Sequence, residues 1–179
     1  MSEFRPNPAM PEEDFSIKIL RDGTWLHQGR PMVRHNLVKL FATVLKRDEN
    51  GDFWLQTPAE QGRIAVEDAP FIAVEMQRQT SENGENLLFR TNVDDWVTLD
   101  GDHPLVMRAD AAGVLCPYIH IRGARDCGLE AKLSRPVYYE LAALAVCHPD
   151  DTNLYGVYSA GRFFALGHAE TLAVADETD

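Results

Sequence analysis

Two stretches of the chain follow the same pattern, and this apparent repeat constrains the fold more than any other feature. Each begins with Arg-Pro and continues with apolar residues spaced i, i+4, i+7 and i+8, which is typical of one helix face. The apolar residues are Val33, Leu37, Leu40 and Phe41 after Arg30-Pro31, and Val137, Leu141, Leu144 and Ala145 after Arg135-Pro136. A short strand pattern containing a tryptophan precedes each, at residues 25–27 and 96–99. The repeat predicts two related subdomains with a cleft between them.

Short alternating segments dominate the rest of the chain and predict many β-strands. Asp22-Gly23 and Asp100-Gly101 are typical of hairpin turns. Two helices are expected, one from Arg30-Pro31 to about Lys46 and one from about Pro136 to Cys147. The expected fold class is therefore α+β, with two related subdomains that each consist of a small bent antiparallel sheet packed by one helix.

The expected domain organisation has four parts. Residues 1–16 contain three prolines and three consecutive acids and predict a flexible N-terminal arm. Residues 17–79 form the N-terminal subdomain, residues 80–168 the C-terminal subdomain, and residues 169–179 an acidic tail. The polar stretch Gln79 to Asn86 fits either a linker between the subdomains or a hairpin loop within one sheet, and local sequence does not separate the two.

Charge and cysteine content narrow the class of protein. The 179 residues carry a formal net charge of −11, which disfavours a nucleic-acid polymer as partner, because such binders neutralise phosphates with basic residues. A small anionic ligand stays compatible with this charge, since it needs only a local basic pocket. No apolar run is long enough to span a membrane. Three widely spaced cysteines predict reduced thiols and a cytoplasmic location, with the roles of Cys116 and Cys127 left open.

Three groups of residues are candidates for ligand binding. On the strand Cys116 to Arg122, alternation places Tyr118, His120 and Arg122 on one face, where they would bind an anion and stack an aromatic ring, or form a plain polar outer face. The two expected helix starts carry arginines that would hold a phosphate or carboxylate, or pair with surface acids. These arginines are Arg30, Arg34 and Arg135.

The third group lies between Thr57 and Asp68. Its side chains offer acceptors and a guanidinium donor: Thr57, Glu60, Arg63, Glu67 and Asp68. They fit a polar ligand site, or a structural role in which Glu67 or Asp68 caps a turn and pairs with Arg63. The histidine spacing gives no metal motif, and no nucleophile or phosphate-loop signature is present, so we expect neither a metal nor a cofactor.

Several segments together resemble the proteobacterial domain-of-unknown-function family 1285, in order from about Ile17 to Phe164. They are Asp22 to His27, Arg30-Pro31, Leu37 to Phe41, Trp54 to Glu60, Val66 to Phe71, Arg90 to Asn92, Tyr118 to Arg122 and Gly128 to Ala131. The resemblance implies a duplicated core with a pleckstrin-homology-like C-terminal half. It also implies a groove between the halves for a nucleotide-like ligand and a link to signal transduction, with no established activity.

The leading hypothesis is a cytoplasmic ligand-binding or sensing protein that binds a small anionic, nucleotide-like molecule. Arginines would hold its phosphates, Trp25 or Tyr118 would stack its base, and Glu60 or Asp68 would accept its polar hydrogens, with His27 inside the quoted motif as a further candidate. One alternative is a protein–protein interaction module, with the strand Arg162 to Leu166 and the stretch Gln79 to Asn86 as candidate surfaces. Another is a hydrolase in which His120 acts with Glu130 or Asp68 as acid and base.

Overall fold

The computed structural model of the protein describes residues 4–82, 84–110 and 113–168, and over these residues it has two helices and three β-sheets. The chain divides into two compact units. Unit 1 comprises residues 1–72, 92–94 and 121–131, and unit 2 comprises residues 73–91, 95–120 and 132–179. The acidic tail predicted over residues 169–179 lies outside the described residues.

Unit 1 is built on a six-stranded sheet with one helix. Its elements are β1 (Ile17–Ile19), β2 (Trp25–His27), β3 (Arg30–Pro31), α1 (His35–Val44), β4 (Leu45–Arg47), β5 (Phe53–Gln56) and β6 (Gln61–Val66). The strand order is β3-β2-β1-β6-β5-β4. Neighbouring strands are antiparallel except β1 and β6, which are parallel, so this sheet is mixed and not antiparallel as predicted. The long connection between β1 and β6, which contains α1, permits the parallel pair.

Unit 2 contains most of a second six-stranded sheet, a three-stranded sheet and one helix. Its elements are β7 (Phe71–Ser81), β8 (Gly84–Thr91), β9 (Trp96–Thr98), β10 (Leu105–Ala109), β11 (Leu115–Arg122), β12 (Leu129–Leu133), α2 (Arg135–Ala142), β13 (Val146–His148), β14 (Asp151–Ser159) and β15 (Arg162–His168). The ends of β7, β11 and β12 over residues 71–72, 121–122 and 129–131 belong to unit 1. The strand orders are β10-β11-β12-β7-β8-β9 and β13-β14-β15.

The two six-stranded sheets share one topology. Each consists of two three-stranded meanders, and the first strand of the first meander lies beside the last strand of the second, as β1 beside β6 and β7 beside β12. This arrangement fits the two related subdomains predicted from the sequence. The helices, however, occupy different places, because α1 lies between the third and fourth strands of its set whereas α2 follows the sixth. The two Arg-Pro sequences therefore do not mark equivalent positions.

The first Arg-Pro sequence forms a strand, and the predicted helix start at this position is wrong. β3 pairs antiparallel with β2, with His27 opposite Arg30. The two residues of the turn between them, Gln28 and Gly29, have φ of 50° and 75°, as a tight type I′ hairpin turn requires. Pro31 is tolerated because β3 is an edge strand of the sheet.

Helix α1 buries a different face from the one predicted. It runs from His35 to Val44, and its fully buried residues are Val38 and Ala42. The predicted core residues Val33, Leu37 and Leu40 are instead 90%, 38% and 60% exposed. The spacing of apolar residues alone could not show which face of α1 is buried, because a second apolar row lies one residue along the helix from the predicted row.

Helix α2 begins where the sequence predicts and ends earlier. Ser134 is its N-cap residue, with extended backbone angles and no side-chain hydrogen bond, and Val137 and Leu141 are buried as expected. The helix stops at Ala142, and the residues predicted as its last turn form β13, which pairs with β14. Helix propensity is a weak preference that tertiary context overrides, and here Val146–His148 pair with β14 in a short, bulged ladder.

The polar stretch Gln79 to Asn86 is a hairpin and not a linker. β7 and β8 pair antiparallel from Ala73 opposite Thr91 to Ser81 opposite Gly84; residue 83 lies outside the described residues. The predicted division between residues 79 and 80 therefore falls inside a continuous strand.

Residues 4–16, predicted as part of a flexible arm, are attached to unit 1. Phe4 forms a parallel bridge with Asp48, and the Gln61 side chain exchanges hydrogen bonds with the Asn7 backbone at 2.8 and 3.0 Å. A Cβ atom on Gly62 would lie 2.1 Å from the Glu13 carbonyl oxygen, so only glycine lets the segment lie this close. The low apolar content of the segment gave no sign of these backbone contacts.

Each unit has its own apolar core. In unit 1 the largest fully buried side chains are Trp25, Phe71, Ile19, Leu45 and Leu55. In unit 2 they are Tyr118, Phe89, Leu87, Leu99, Ile119, Leu141 and Leu166. The three-stranded sheet of unit 2 packs on the larger one through a buried contact, in which the Leu87 N–H donates to the Ser159 hydroxyl at 2.9 Å.

Candidate functional site

A cavity of 560 Å³ opens in unit 1 beside strand β4. Its volume is in the range typical of small-molecule sites. Four segments that are far apart in sequence line it: the N-terminal segment, β4, the end of β5, and the chain from the end of β11 to the start of β12. The lining residues are Phe4, Arg5, Leu45, Lys46, Arg47, Gln56, Arg122, Gly123, Ala124, Cys127 and Leu129.

The cavity is cationic. Arg5, Lys46, Arg47 and Arg122 line it, and over the described residues its lining contains no Asp or Glu. Arg5 forms an exposed ion pair with Glu49 at 3.0 Å. No carboxylate among the described residues forms an ion pair with Lys46 or Arg47. A concentration of positive charge in a chain of net charge −11 creates a local potential that favours a small anion.

Arg47 is held in place by backbone groups and an aromatic ring. Its Nε donates to the Gly51 carbonyl at 3.3 Å and its Nη1 to the Gly128 carbonyl at 3.4 Å. The guanidinium lies 5.1 Å from the centre of the Phe53 ring, a cation–π distance. These contacts fix the side chain without neutralising its charge, which leaves the guanidinium able to bind an anion.

The β4–β5 turn, which carries the Gly51 carbonyl and leads into Phe53, is organised by Asp48. This carboxylate is 3% exposed and accepts hydrogen bonds from the backbone N–H groups of Asn50 and Asp52 and from the Trp54 indole, each at 2.9 Å. Arg47 lies directly opposite Phe53 in the β4–β5 pair. Asp48 therefore positions one wall of the cavity through the turn between the two strands.

Arg122 is the predicted ligand residue that the structure places in the cavity. It lies at the end of β11, and its Nη2 donates to the Ala42 carbonyl at the end of α1. A cation at a helix C-terminus is favourable because it meets the negative end of the helix dipole. The guanidinium also lies 5.5 Å from the centre of the Phe71 ring. Arg122 thus joins the last turn of α1 to the cavity wall.

Neither aromatic ring predicted to stack a ligand base is accessible. Trp25 is 2% exposed, and its buried indole nitrogen has no hydrogen-bond partner among the residues that the structure describes. Tyr118, in unit 2, is fully buried, with the Arg108 guanidinium 3.8 Å from its ring centre and the Lys132 ammonium 5.9 Å away. Both rings are core residues, which corrects the stacking role assigned to them from the sequence.

Three further predicted residues lie beside helix α1. His27 and Arg30 lie on the β2–β3 hairpin, and Arg34 is the N-cap residue of α1; all three are exposed. Together they line a second, shallower depression of 590 Å³. The Arg34 backbone carbonyl accepts the first helical hydrogen bonds, from the N–H groups of Leu37 and Val38.

The predicted group between Thr57 and Asp68 has mainly structural contacts. The Thr57 hydroxyl bonds both backbone groups of Glu60, closing the β5–β6 turn. Arg63 pairs with Asp52 at 2.9 Å and lies 4.9 Å from the centre of the Trp54 ring.

The acids at the end of this group take different places. Glu67 pairs with Lys18 at 2.6 Å, and hydrogen bonds from Lys18 and the Arg21 backbone lower its pKa. The expected pairing of Arg63 with Glu67 or Asp68 is therefore replaced by other partners for Arg63 and Glu67. Asp68 and Glu130 are half-buried in unit 1.

The remaining predicted residues belong to unit 2. His120 is half-buried on β11, and its backbone N–H donates to the Pro104 carbonyl at 3.0 Å. Arg135 is exposed at the start of α2. Within the described parts of the chain, no group of three or more His, Cys, Asp and Glu side chains is arranged to hold a metal ion.

The cavity residues that sequence reasoning missed are Arg5, Lys46, Arg47 and Cys127. Lys46 and Arg47 were expected at a helix end, where basic residues are common. Gln56 lies in the segment Trp54 to Glu60, which is part of the family resemblance. This was the signal in the sequence that pointed towards the cavity. The lining segments come together only when β4 pairs with β5 and when residues 122–129 lie beside β4. No local sequence pattern therefore predicts the cavity.

A duplicated six-stranded topology and a cavity lined by basic side chains in unit 1 define a two-part α+β protein. The chain belongs to the DUF1285 family. Residues 5–69 match the model described as "Domain of unknown function (DUF1285), N-terminal domain". Residues 70–166 match "Protein of unknown function (DUF1285), C-terminal domain". The family predicted from the sequence is thereby confirmed.

Two solved structures of this family are similar to the chain. A DUF1285 family protein from Silicibacter pomeroyi DSS-3 is 35% identical, with a TM-score of 0.79 over 96% of this chain and 94% of the other. One from Shewanella baltica OS155 is 26% identical, with a TM-score of 0.53 over 69% of this chain and 87% of the other. None of the curated proteins with which the chain was compared matches it. No helix in the described residues is long and apolar enough to cross a membrane.

Proposed function

We propose that the protein binds a small anionic, nucleotide-like ligand in the cavity beside β4 and acts as a cytoplasmic sensing protein in signal transduction. The observation that carries the proposal is the lining itself, which has four cationic side chains and no carboxylate among the described residues. Among them, Arg47 is partly buried and held by two backbone carbonyls and a ring, and a cation in such surroundings binds phosphate or carboxylate more strongly than a freely solvated one.

The lining also suits the uncharged part of such a ligand. Leu45 and Leu129 offer apolar surface, and the Gln56 amide offers both a donor and an acceptor for the edge of a base or sugar. Lys46, Arg47 and Arg122 would hold the phosphates, and Arg47 and Arg122 present planar guanidinium groups suited to bidentate contacts. The three cysteines form no disulfide within the described residues, which supports the cytoplasmic location.

The finer description of the C-terminal half as pleckstrin-homology-like is part of the same proposal. Its support is the layered arrangement of unit 2, in which the β13–β15 sheet contacts the larger sheet through Ser159 and Leu87, and α2 contacts β14. An experimental structure of the protein tests it. The description fails if the strands of unit 2 cannot be superposed, in order, on a pleckstrin-homology barrel.

Ligand binding is tested by a thermal-shift screen followed by calorimetry. The probes are nucleoside mono-, di- and triphosphates, cyclic mono- and dinucleotides, pyrophosphate, and nicotinamide and flavin cofactors. A ligand present at a hundred times its Kd stabilises the folded protein by about 2.7 kcal/mol. For a chain of this size, that corresponds to a rise of about 5–10 °C in Tm.

Matched variants then locate the site. Lys46→Ala removes an exposed cation with no ion-pair partner among the described residues, and Arg47→Met keeps the length of the side chain but removes its charge. We expect each to weaken binding by roughly 10- to 100-fold, the loss typical of a charge-assisted contact. Arg34→Ala, an exposed arginine outside this cavity, is the control. Equal affinity in all three variants, or a screen without any stabilising probe, contradicts the proposal.

A further inference from the structure

An exposed apolar strip consists of Leu37 and Leu40 on α1 and of Val33, two residues before the helix. Val33 is 90% exposed, Leu40 60% and Leu37 38%. We call these three residues, together with Arg30 and Arg34, the α1 surface. An apolar helix face normally packs against another element. Single exposed apolar residues are common on protein surfaces, whereas adjacent ones are typical of contact sites.

Two shallow depressions flank Leu37 on the α1 surface. One, of 540 Å³, is lined by Arg34, His35, Asn36, Leu37 and Leu40. The other, of 590 Å³, is lined by His27, Gln28, Arg30, Pro31, Met32, Val33, Arg34 and Leu37. The strip therefore presents a ridge between two recesses, which suits the apolar anchors of a helix laid across it.

The rim of the α1 surface is basic. Neither Arg30 nor Arg34 forms an ion pair with any carboxylate in the described part of the chain. Neither depression has Asp or Glu among its described lining residues. Asp94 lies beside α1 and bonds His35 at 2.8 Å and Lys39 at 3.1 Å. Two guanidinium groups that have no ion-pair partner in the described part of an acidic protein are complementary to a locally acidic partner.

We propose that the α1 surface docks an acidic amphipathic helix of a partner protein, with the partner's apolar residues beside Leu37 and its carboxylates on Arg30 and Arg34. A second copy of this chain is a poorer occupant, because a two-fold contact would place the same arginines against each other. An anionic membrane is also a poorer occupant, since the net charge of −11 opposes approach to it.

The test is a selection of peptides from a random 16-residue display library. The library is panned on the immobilised full-length protein and counter-selected on the variant Leu37→Asp/Leu40→Asp. Circular dichroism first establishes that the variant is folded, and folding is expected because both side chains are exposed. Recovered peptides are synthesised and their affinity is measured by fluorescence anisotropy.

The expected peptides have apolar residues at positions i, i+3 or i+4 and i+7 and a net negative charge. They bind the Leu40→Asp variant of the protein at least tenfold more weakly than the wild type. Arg30→Glu/Arg34→Glu weakens them by a similar factor, whereas the matched charge reversal Arg21→Glu does not. Val106→Asp, at an exposed apolar residue of β10, is the matched control for the apolar change and leaves affinity unchanged.

Four results overturn the proposal. The first is that no peptide distinguishes the protein from the Leu37→Asp/Leu40→Asp variant, and the second is that only basic or neutral peptides are recovered. The third is that the protein binds phosphatidylglycerol vesicles and this variant does not. The fourth is that the protein self-associates and this variant does not.

The inference does not depend on the ligand cavity. Arg47→Met leaves the selected peptides bound, and Arg30→Glu/Arg34→Glu leaves the cavity ligand bound, so failure of one proposal is distinguishable from failure of the other.

Discussion

Removal of the Asp48 carboxylate tests how the β4–β5 turn is held. In Asp48→Ala the Trp54 indole N–H loses its acceptor, and Trp54 is 3% exposed, so water cannot replace it. A buried donor without a partner costs about 1–3 kcal/mol. The N–H groups of Asn50 and Asp52 lose a charged acceptor but lie nearer to solvent, which adds about 0.5 kcal/mol each. We expect a loss of about 3 kcal/mol in the free energy of unfolding.

The assay is urea unfolding followed by circular dichroism, with Asp126→Asn as the control at an exposed aspartate, where a change within about 0.5 kcal/mol is typical. Asp48→Asn keeps the shape but cannot satisfy both the turn and the indole, so it costs about 2 kcal/mol. In a Trp54→Phe background this cost falls by about 1 kcal/mol, because the indole N–H is absent. A cost of Asp48→Ala below about 1 kcal/mol, or an equal cost of Asp48→Asn in both backgrounds, refutes the reasoning.

Two further predictions concern other parts of unit 1. Gly62→Ala places a Cβ 2.1 Å from the Glu13 carbonyl, so the N-terminal segment is displaced and limited proteolysis cleaves it faster than in the wild type; unchanged cleavage contradicts the close approach. Hydrogen bonds with His35 and then Lys39 lower the pKa of Asp94 to about 2. Because its folded pKa lies below its unfolded value of 3.8, Asp94 stabilises the fold above about pH 4 and loses this effect as the pH falls towards 2. The stability difference between wild type and Asp94→Asn, measured by urea unfolding from pH 7 to 2, should follow that course, and a pH-independent difference contradicts it.

The sequence predicted the fold class because its strand signals are local. The Asp22-Gly23 turn forms as expected: Gly23 has φ of 82°, and Asn92 donates to its carbonyl at 3.2 Å. The local sequence pattern could not show which side of α1 faces the core. Val38 and Ala42 were as apolar as their neighbours, and only the packing of α1 in unit 1 decides between the two rows.

The candidate site was predictable only in part. Of the β11 residues that alternation assigned to one face, Arg122 lines the cavity, whereas Tyr118 is fully buried. Arg47 was assigned to a helix end because nothing in the sequence shows where α1 stops. A cavity whose walls come from residues 4–5, 45–47, 56 and 122–129 exists only after the strands have paired, so its cations appear in the sequence as unrelated charges.

The arrangement of the unit 1 strands has a consequence for folding kinetics. Four of the five neighbouring strand pairs join consecutive strands, and only β1 beside β6 joins distant ones. The two meanders can therefore form independently from local contacts, and one loop closure with α1 inside the loop completes the sheet. Because closure entropy grows only with the logarithm of loop length, insertions at the exposed Asn50 turn between β4 and β5 should slow this closure only slightly, whereas changes that weaken the β1–β6 pair should affect it directly.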